Sequence, residues 1–538
     1  MVFVQLKTTK LKTIKALDFK NIESIPQLIK DFIGKQIEGF EADTFSKENF
    51  QQKIQDKKMS FSEEQRTILF HELQRQLSDI TLSERQQKNL ESLKDLQTFT
   101  ITTGHQLNLF TGPAFFIYKI LQTVKTCLFL KEQFPDQNFV PVYWMASEDH
   151  DFAEINHFKT KNNFYEINEK SGGVVGKIHL SDAHFISEFE TEFKDYIFGT
   201  ELILMLKESY QIGKTLTETI RILVNRLFSN YGLLIVDGDA KAFKQQMIEI
   251  FEKEILQSSL SENAKEKVDF LTKKYGKVQV NPREINLFYL SETRNRIDPF
   301  QNKFLVNDTE ISFSKEEIIK ELKNTPEKFS PNALMRPVYQ EKILPNLAYI
   351  GGNAEIMYWL ELKDYFKSLQ LPFPILIPRN SMLFLEEKTL NKVGKLHLDI
   401  EDFFGNFTQI TNRKILDNNE ILSSLEAQEN FLKIHFENLK NLSEKTEKSF
   451  GNMVKAEEVR QLKSFLRLKK RLLKAEKIKQ SELLERLENL FMEINPAKIW
   501  QERVYNFSVF FADHGNEWLE TCFKEMNVEQ SQLIIVAI

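Results

Sequence analysis

The run Phe99-Thr100-Ile101-Thr102-Thr103-Gly104-His105-Gln106-Leu107-Asn108-Leu109-Phe110-Thr111-Gly112-Pro113 decides the fold. Its first five residues are β-branched or aromatic, the types that suit a pleated, half-buried surface. They form a strand that Gly104-His105-Gln106 interrupts, and a turn from Leu107 to Pro113 leads into a helical pattern starting at Ala114. Gly104 and Gly112 admit backbone geometry or close ligand approach that a β-carbon forbids, and Pro113 suits a position at or near the helix start.

Beyond that helix, Phe139-Val140-Pro141-Val142-Tyr143-Trp144-Met145-Ala146 is almost continuously apolar, as a parallel strand buried on both faces must be. It ends in Ser147-Glu148-Asp149-His150-Asp151, with Glu154 and His157 close behind. Carboxylates and imidazoles just past the carboxyl end of a strand lie where open α/β sheets bind ligands. Tyr231-Gly232-Leu233-Leu234-Ile235-Val236-Asp237 and Ile375-Leu376-Ile377-Pro378-Arg379 repeat the pattern, the latter as a last apolar strand ending at a cation. Strands alternating with helices predict a parallel sheet. Asp237 either bonds a ligand or, with Asp239, caps the next helix.

Farther out, residues 1–90 read as mainly helical, with starts at Asp43, Ser46 and Ser62, the last forming a capping box with Gln65. The core resumes in segments 91–160, 215–250 and 330–385, separated by insertions at 161–214 and 251–329. Short strands are expected in the second insertion at Lys277–Val280 and Phe288–Leu290. Ser312-Phe313-Ser314-Lys315 faintly resembles the Lys-Met-Ser-Lys-Ser loop of class I aminoacyl-tRNA synthetases, but Ser314 and Glu317 make a capping box that explains the same residues.

Residues 386–500 are helical and charged. Leu425, Leu432 and Leu439 are seven apart; so are Val459, Leu466, Leu473, Gln480, Leu487 and Ile494, with Leu462, Lys469, Glu476, Leu483 and Leu490 as the companion register. Two long helices with such seams predict an antiparallel coiled-coil arm, weakened at Lys469, Glu476 and Gln480. The tail 501–538, with Val509-Phe510-Phe511 and Leu533–Ala537, is expected to pack on the core. The expected class is therefore α/β, a Rossmann-like parallel-sheet core with two inserted segments and a C-terminal α-helical coiled-coil arm.

Lys plus Arg number 72 against 77 Asp plus Glu, a net charge of −5, which argues against bulk binding to nucleic acid or membrane. The basic stretch 455–480, with ten Lys or Arg against three Glu, reads as a solvated helix face, with an anionic ligand along the arm as the other reading. Cys127 and Cys522 suit buried small hydrophobes better than a disulfide framework. Met1-Val2-Phe3-Val4-Gln5-Leu6 is too short for a secretory signal, and no apolar run is long enough to span a bilayer, so a cytoplasmic protein is expected.

Three blocks carry a family resemblance: Thr103 to Pro113; Ser147 to Asp151 with Asn156-His157; and Arg336-Pro337-Val338-Tyr339-Gln340 through Ala348-Tyr349-Ile350-Gly351-Gly352, Glu355-Ile356 and Tyr358-Trp359. In order and approximate spacing they resemble the bacillithiol biosynthesis cysteine-adding enzymes, or cysteine ligases, and the resemblance covers most of the chain. One departure is visible: many members read Gly-Gln-Gln where this chain has Gly104-His105-Gln106.

The resemblance implies addition of L-cysteine to glucosaminyl-malate, forming the amide of bacillithiol in the last step of its synthesis. A carboxylate is a poor electrophile, so ATP or another nucleotide is the expected activator, and the sugar ammonium must lose a proton before it attacks. Asp149, His150 and His105 are the catalytic candidates. Gly104, Gln106, Asn108, Thr111, Gly112, Lys119, Glu148, Arg336, Gln340, Gly351, Gly352, Glu355 and Arg379 are the candidates for holding nucleotide or substrate, through glycine-loop amides, a helix amino end and bidentate guanidinium groups. The spacing of His150, Glu154 and His157 could share a metal, but no His-Glu-x-x-His pattern occurs, and no metal is expected. No Walker loop or Gly-x-Gly-x-x-Gly fingerprint is present, which disfavours P-loop kinases and NAD enzymes. A homodimer through the arm is expected, since exposed leucine seams invite a two-fold partner. The alternatives are a nucleotide- or sugar-binding scaffold of the same pathway, or a nucleotidylyltransferase acting on another small acid.

Overall fold

The computed structural model describes residues 11–170 and 172–538, so Met1–Leu6 lies outside the described residues. The chain divides into two compact units: residues through Asn21, Ile25–Leu385 and Trp500–Ile538 form one, and Ile22–Ser24 with Glu386–Ile499 the other.

The first unit is built on five parallel strands, β1 (Thr98–His105), β2 (Asn138–Met145), β3 (Leu234–Asp237), β4 (Asn346–Gly351) and β5 (Ile375–Pro378), in spatial order β5-β4-β1-β2-β3. This is the order of a Rossmann half, in which the chain leaves the central strand in one direction and returns on its other side. The crevice at that reversal, between the carboxyl ends of β1 and β4, is the expected ligand position. Phe99, Ile101, Phe139, Leu347, Ile350 and Ile375 form a core with Phe50 and Ile54 of the Lys47–Ser60 helix and Leu130 of α1 (Phe115–Gln133). Each such side chain, fully buried, contributes about 1.5 to 3 kcal/mol. Cys127 and Cys522 are both buried free thiols.

Several local expectations are corrected. Gly104 and His105 do not interrupt the first strand; β1 runs through both, in register with Trp144 and Met145. The first segment is not all helix, because Lys12–Asp18 is a strand antiparallel to Gln532–Ala537, which in turn lies parallel to Ser381–Leu385. Consequently Ile375–Pro378 is not the last apolar strand. Asp43 closes a short 3-10 turn, and the following helix starts instead at Ser46, whose side chain accepts from the Asn49 amide. Lys277–Val280 is irregular, its backbone being held elsewhere, whereas Leu287–Leu290 is a strand of an antiparallel sheet with Arg294–Phe300. The capping boxes at Ser62 and Ser314 are present.

In the second unit, α4 (Glu420–Ser443) and α5 (Lys448–Lys479) pair as a helical hairpin, followed by α6 (Ser481–Ile494). The second long helix is broken at Gln480, and its registers divide: Leu487, Leu490 and Ile494 are buried, whereas Val459 and Leu466 are exposed. Phe436 and Val454 are buried in the hairpin, and the polar middle is accounted for by Lys469, whose Nζ lies 2.6 Å from Glu429. Among the described residues no helix is long and apolar enough to cross a membrane.

Candidate functional site

At the carboxyl ends of β1, β2 and β4 a cleft of about 820 Å³ opens in the first unit. Gly104, His105 and Gln106 enter it from the end of β1, and Glu148, Asp149 and His150 from the end of β2. Arg336 from helix α2 (Met335–Ile343), Gly352 and Glu355 at the start of α3 (Asn353–Leu360), and Arg379 after β5 complete the predicted residues that line it. Space at Gly104 is tight: a β-carbon there would stand 3.2 Å from the Tyr349 hydroxyl, which would have to give by a few tenths of an ångström, and 3.5 Å from an Arg336 guanidinium nitrogen.

Six predicted residues do not line the cleft. Asn108, Thr111 and Gly112 form a buried turn whose carbonyls, at Phe110 and Gly112, are held by the Asn506 side-chain amide at 2.7 and 2.6 Å. Gly112 has φ +65°, and a β-carbon there would strike Asn108, so this turn serves the backbone. Lys119, 1% exposed, sits beneath the floor, where it donates to the Gly104 carbonyl and to Glu355 at 2.8 Å. Gln340 is buried and accepts from Arg336 at 3.0 Å. Gly351 packs on the Tyr349 ring.

The expected anion site at the glycine pair is filled from within. The Gly352 N–H donates to Glu355 Oε2 at 2.7 Å, and Tyr349 donates to Oε1 at 2.7 Å. Burial pushes the Glu355 carboxyl up, but Lys119 and these donors outweigh it and hold it at about 2. Arg379 is likewise neutralised: two of its nitrogens contact Glu502 at 3.0 and 2.6 Å, out of solvent. Glu148 is tied to buried Lys244; burial raises its pKa against that pairing. Asp237 accepts from the Ser147 hydroxyl and the Asp239 amide, and the helix Lys241–Gln245 has no side-chain cap, so neither aspartate plays the capping role.

Asp149 and His150 remain available at the cleft. Asp149 Oδ2 accepts from Gln106 at 2.8 Å, and Oδ1 accepts from the His150 amide at 2.7 Å and lies 3.6 Å from His150 Nδ1. Burial opposes ionisation of Asp149, yet the hydrogen bonds from His150 and Gln106 and the charge of Arg294 hold its carboxyl well below the usual carboxylate range. Arg294 donates to His150 Nδ1 at 2.9 Å; since a guanidinium only donates, that nitrogen accepts. The three residues whose spacing could have shared a metal part company: His150 meets Arg294, Glu154 accepts from Gln106 at 2.9 Å, and His157 stacks on Phe164.

Sequence reasoning missed Arg283, Arg294, Arg296 and Arg503, all of which line the cleft. The alternation Arg294-Asn295-Arg296 in a strand was a usable signal; Arg503, arriving after the whole arm, offered none. Arg336 donates to Gln340, to the Tyr358 hydroxyl at 3.1 Å and to Tyr349 at 3.4 Å, with no carboxylate at ion-pair distance among the described residues. A cleft rimmed by such guanidinium groups, with a carboxylate and an imidazole on its floor, can hold anionic ligands beside a proton acceptor.

Comparison with known proteins agrees with the sequence resemblance. Residues 13–380 match the model "Bacillithiol biosynthesis BshC, N-terminal Rossmann-like domain", and residues 382–538 the model of the BshC C-terminal coiled-coil domain. The chain belongs to the bacillithiol biosynthesis BshC family. It is 41% identical over 493 residues to a protein of Flavobacterium johnsoniae named cysteine ligase BshC, covering 91% of this chain and 93% of that one. A protein of the same name from Flavobacterium psychrophilum is 42% identical over 496 residues, again covering 91% and 93%. A more distant one, from Bacillus cytotoxicus, is 27% identical over 81% of this chain and 84% of its own.

His105 is held by packing. Its ring lies between Phe115 and Phe116, with centroids 5.2 and 5.1 Å away. Burial, with the charges of Lys119 and Arg379, drops its pKa to about 3, so it stays a neutral ring packed between two phenylalanines, which does not match the catalytic role expected of it.

Proposed function

We propose that the chain is a carbon–nitrogen ligase that joins the carboxyl group of L-cysteine to the amine of glucosaminyl-malate, the last step of bacillithiol synthesis, with ATP or another nucleotide activating the cysteine carboxylate. The observation that carries this reading is the convergence of Gln106, Asp149 and His150 with Arg336 and Arg294 in one cleft at the topological switch of the sheet. The name of the relatives, cysteine ligase, supports the same chemistry.

The nucleotide supplies a phosphate leaving group on the cysteine carbonyl carbon. Asp149, held by Gln106 and the His150 amide, takes a proton from the acceptor ammonium, and the freed amine can then attack the activated carbon, its second N–H proton passing to the leaving phosphate or to solvent as the amide forms. Arg336, oriented by Tyr349 and Tyr358, holds negative charge near Gly104. We place the reaction in the cytoplasm and the working form as a homodimer through the arm. Phe431 and Ile434, on the side of α4 away from Phe436, are 73% and 64% exposed, which supports that assembly.

The test is direct. Purified protein is mixed with L-cysteine, synthetic glucosaminyl-malate and ATP, and the amide is sought by mass spectrometry, with other nucleoside triphosphates in parallel. Formation of the amide only when nucleotide is present is the expected result. A strain lacking the gene that still makes bacillithiol normally would overturn the proposal.

A further inference from the structure

One wall of the cleft comes from the second insertion and carries three guanidinium groups. Arg294 and Arg296 are two residues apart on one strand and so share a face, and Phe288 is the cross-strand partner of Arg296. Both guanidinium carbons lie over the Phe288 ring, at 3.8 and 4.7 Å from its centroid. Arg283 joins them from the irregular segment before the sheet.

The three groups are not equivalent. Arg294 is locked: Nε donates to Ser330 at 3.1 Å, one terminal nitrogen to the Pro331 carbonyl at 2.8 Å and the other to His150. The guanidinium groups of Arg283 and Arg296 have no hydrogen-bond or ion-pair partner among the described residues, and no carboxylate pairs with Arg294 at ion-pair distance. Burial together with the charge of Arg283 lowers the pKa of Arg296, as expected where like charges face one another. The sheet therefore holds clustered positive charge that Glu148, Asp149 and Asp298 offset from a distance but that no carboxylate among the described residues pairs with directly. A monoanion would leave an excess, whereas two carboxylates or a phosphate would match two guanidinium forks.

Resting on the reaction proposed above, we propose that Arg283 and Arg296, backed by Arg294, form a dianion subsite that takes the two carboxylates of the malyl group on the acceptor sugar. The contact between Arg294 and His150 selects the acceptor over the nucleotide, because it places the subsite next to Asp149, the neighbour of His150 that receives the amine's proton. Specificity for a malyl sugar thus resides in the inserted sheet, and the nucleotide is left to the Arg336 side of the cleft.

The experiment compares wild type with Arg283→Gln, Arg296→Gln and the double variant. Arg283 is exposed and Arg296 half-exposed, so the fold should persist, and melting temperature checks this. Each substitution is expected to raise KM for glucosaminyl-malate at least about tenfold, as loss of a charge-assisted bond does. KM for ATP and cysteine should not move, and L-malate should raise the melting temperature of wild type but not of the double variant. If KM for ATP rises and that for the sugar does not, the dianion is a nucleotide phosphate and the malyl assignment is overturned. If neither moves while wild type is active, the subsite falls and the ligase reading stands. If wild type makes no amide yet L-malate protects it through these arginines, the subsite stands and the ligase reading falls. Absence of any malate or pyrophosphate binding to wild type overturns the subsite outright.

Discussion

Gln106 Nε2 lies 2.8 Å from Asp149 Oδ2, joining the ends of the adjacent strands β1 and β2 by one side-chain bond at the cleft. The bond fixes the carboxylate while leaving the neighbouring imidazole of His150 to meet a ligand. Asp149→Asn replaces an acceptor by a group that also donates and removes the charge beside His150. A kcat loss of about 10²- to 10⁴-fold is expected with the fold retained, the range for a lost proton-transfer partner. The depressed pKa adds a pH signature: Asp149 stabilises the fold above its unfolded value of about 3.9, and this is lost as pH falls through the folded value. Melting curves between pH 3 and 7 should therefore be flatter for the variant; an unchanged kcat would remove Asp149 from the chemistry.

Lys119 and Glu355 form a pair of opposite design, structural and mostly buried. Removing one partner strands a charge, so Glu355→Gln, which leaves the Lys119 ammonium with only the Gly104 carbonyl, should cost about 3 to 5 kcal/mol. Lys119→Met should cost less, because Glu355 is a quarter exposed at its side chain. The double variant Lys119→Met with Glu355→Leu should recover part of the loss in chemical denaturation. With Glu355 held at about 2, its contribution is present above about 4.3 and disappears as pH falls toward 2.

Glu361 anchors the segment that carries Arg283, accepting from the amides of Gln279 and Val280 at 3.1 and 3.3 Å through one oxygen. Its other oxygen is buried without a partner, and burial raises its pKa to about 8. A carboxyl whose folded value is raised contributes stability that is complete below about 4.3 and is lost as pH rises through 8. Glu361→Gln keeps the accepting oxygen and cannot ionise. Its melting temperature should hold steady from pH 6 to 9 while that of wild type declines, the two differing by roughly 2 °C or more at pH 9.

The arm presents Phe431 and Ile434 to solvent on the side of α4 away from Phe436, and Leu466 is 53% exposed on α5. Phe431→Glu with Ile434→Glu is expected to convert a dimer to a monomer in light scattering without loss of helical signal, since neither residue is buried within the hairpin. Leu466→Lys with Leu473→Lys tests the other helix. Wild type running as a monomer at micromolar concentration would refute the assembly.

The alternating pattern of apolar strands and helices was enough to specify a Rossmann-like sheet, because strands buried on both faces must be almost continuously apolar. That is how Phe139–Met145, Leu234–Asp237 and Ile375–Pro378 declare themselves. Capping at Ser62 and Ser314 was equally legible, since donor and acceptor are three residues apart. The strand Lys12–Asp18 was not: it is half-exposed, without an apolar run, and exists because Gln532–Ala537 lies beside it.

At the site, the chain's order alone brought Gly104–Gln106, Glu148–His150 and Arg336–Glu355 to one end of one sheet, because parallel strands deliver all their carboxyl ends to the same edge. Which of those groups are free was decided only in three dimensions. Lys119 satisfies Glu355 across 236 positions, Glu502 satisfies Arg379 across 123, and Lys244 satisfies Glu148 across 96. Arg283 and Arg503 reach the cleft from an insertion and from beyond the arm with no local motif to announce them, and only the alternation Arg294-Asn295-Arg296 hinted at the third. Residue type and spacing determine what a side chain is able to do; whether it still can is set by the charge and burial of whatever folds against it, and those partners are remote in sequence.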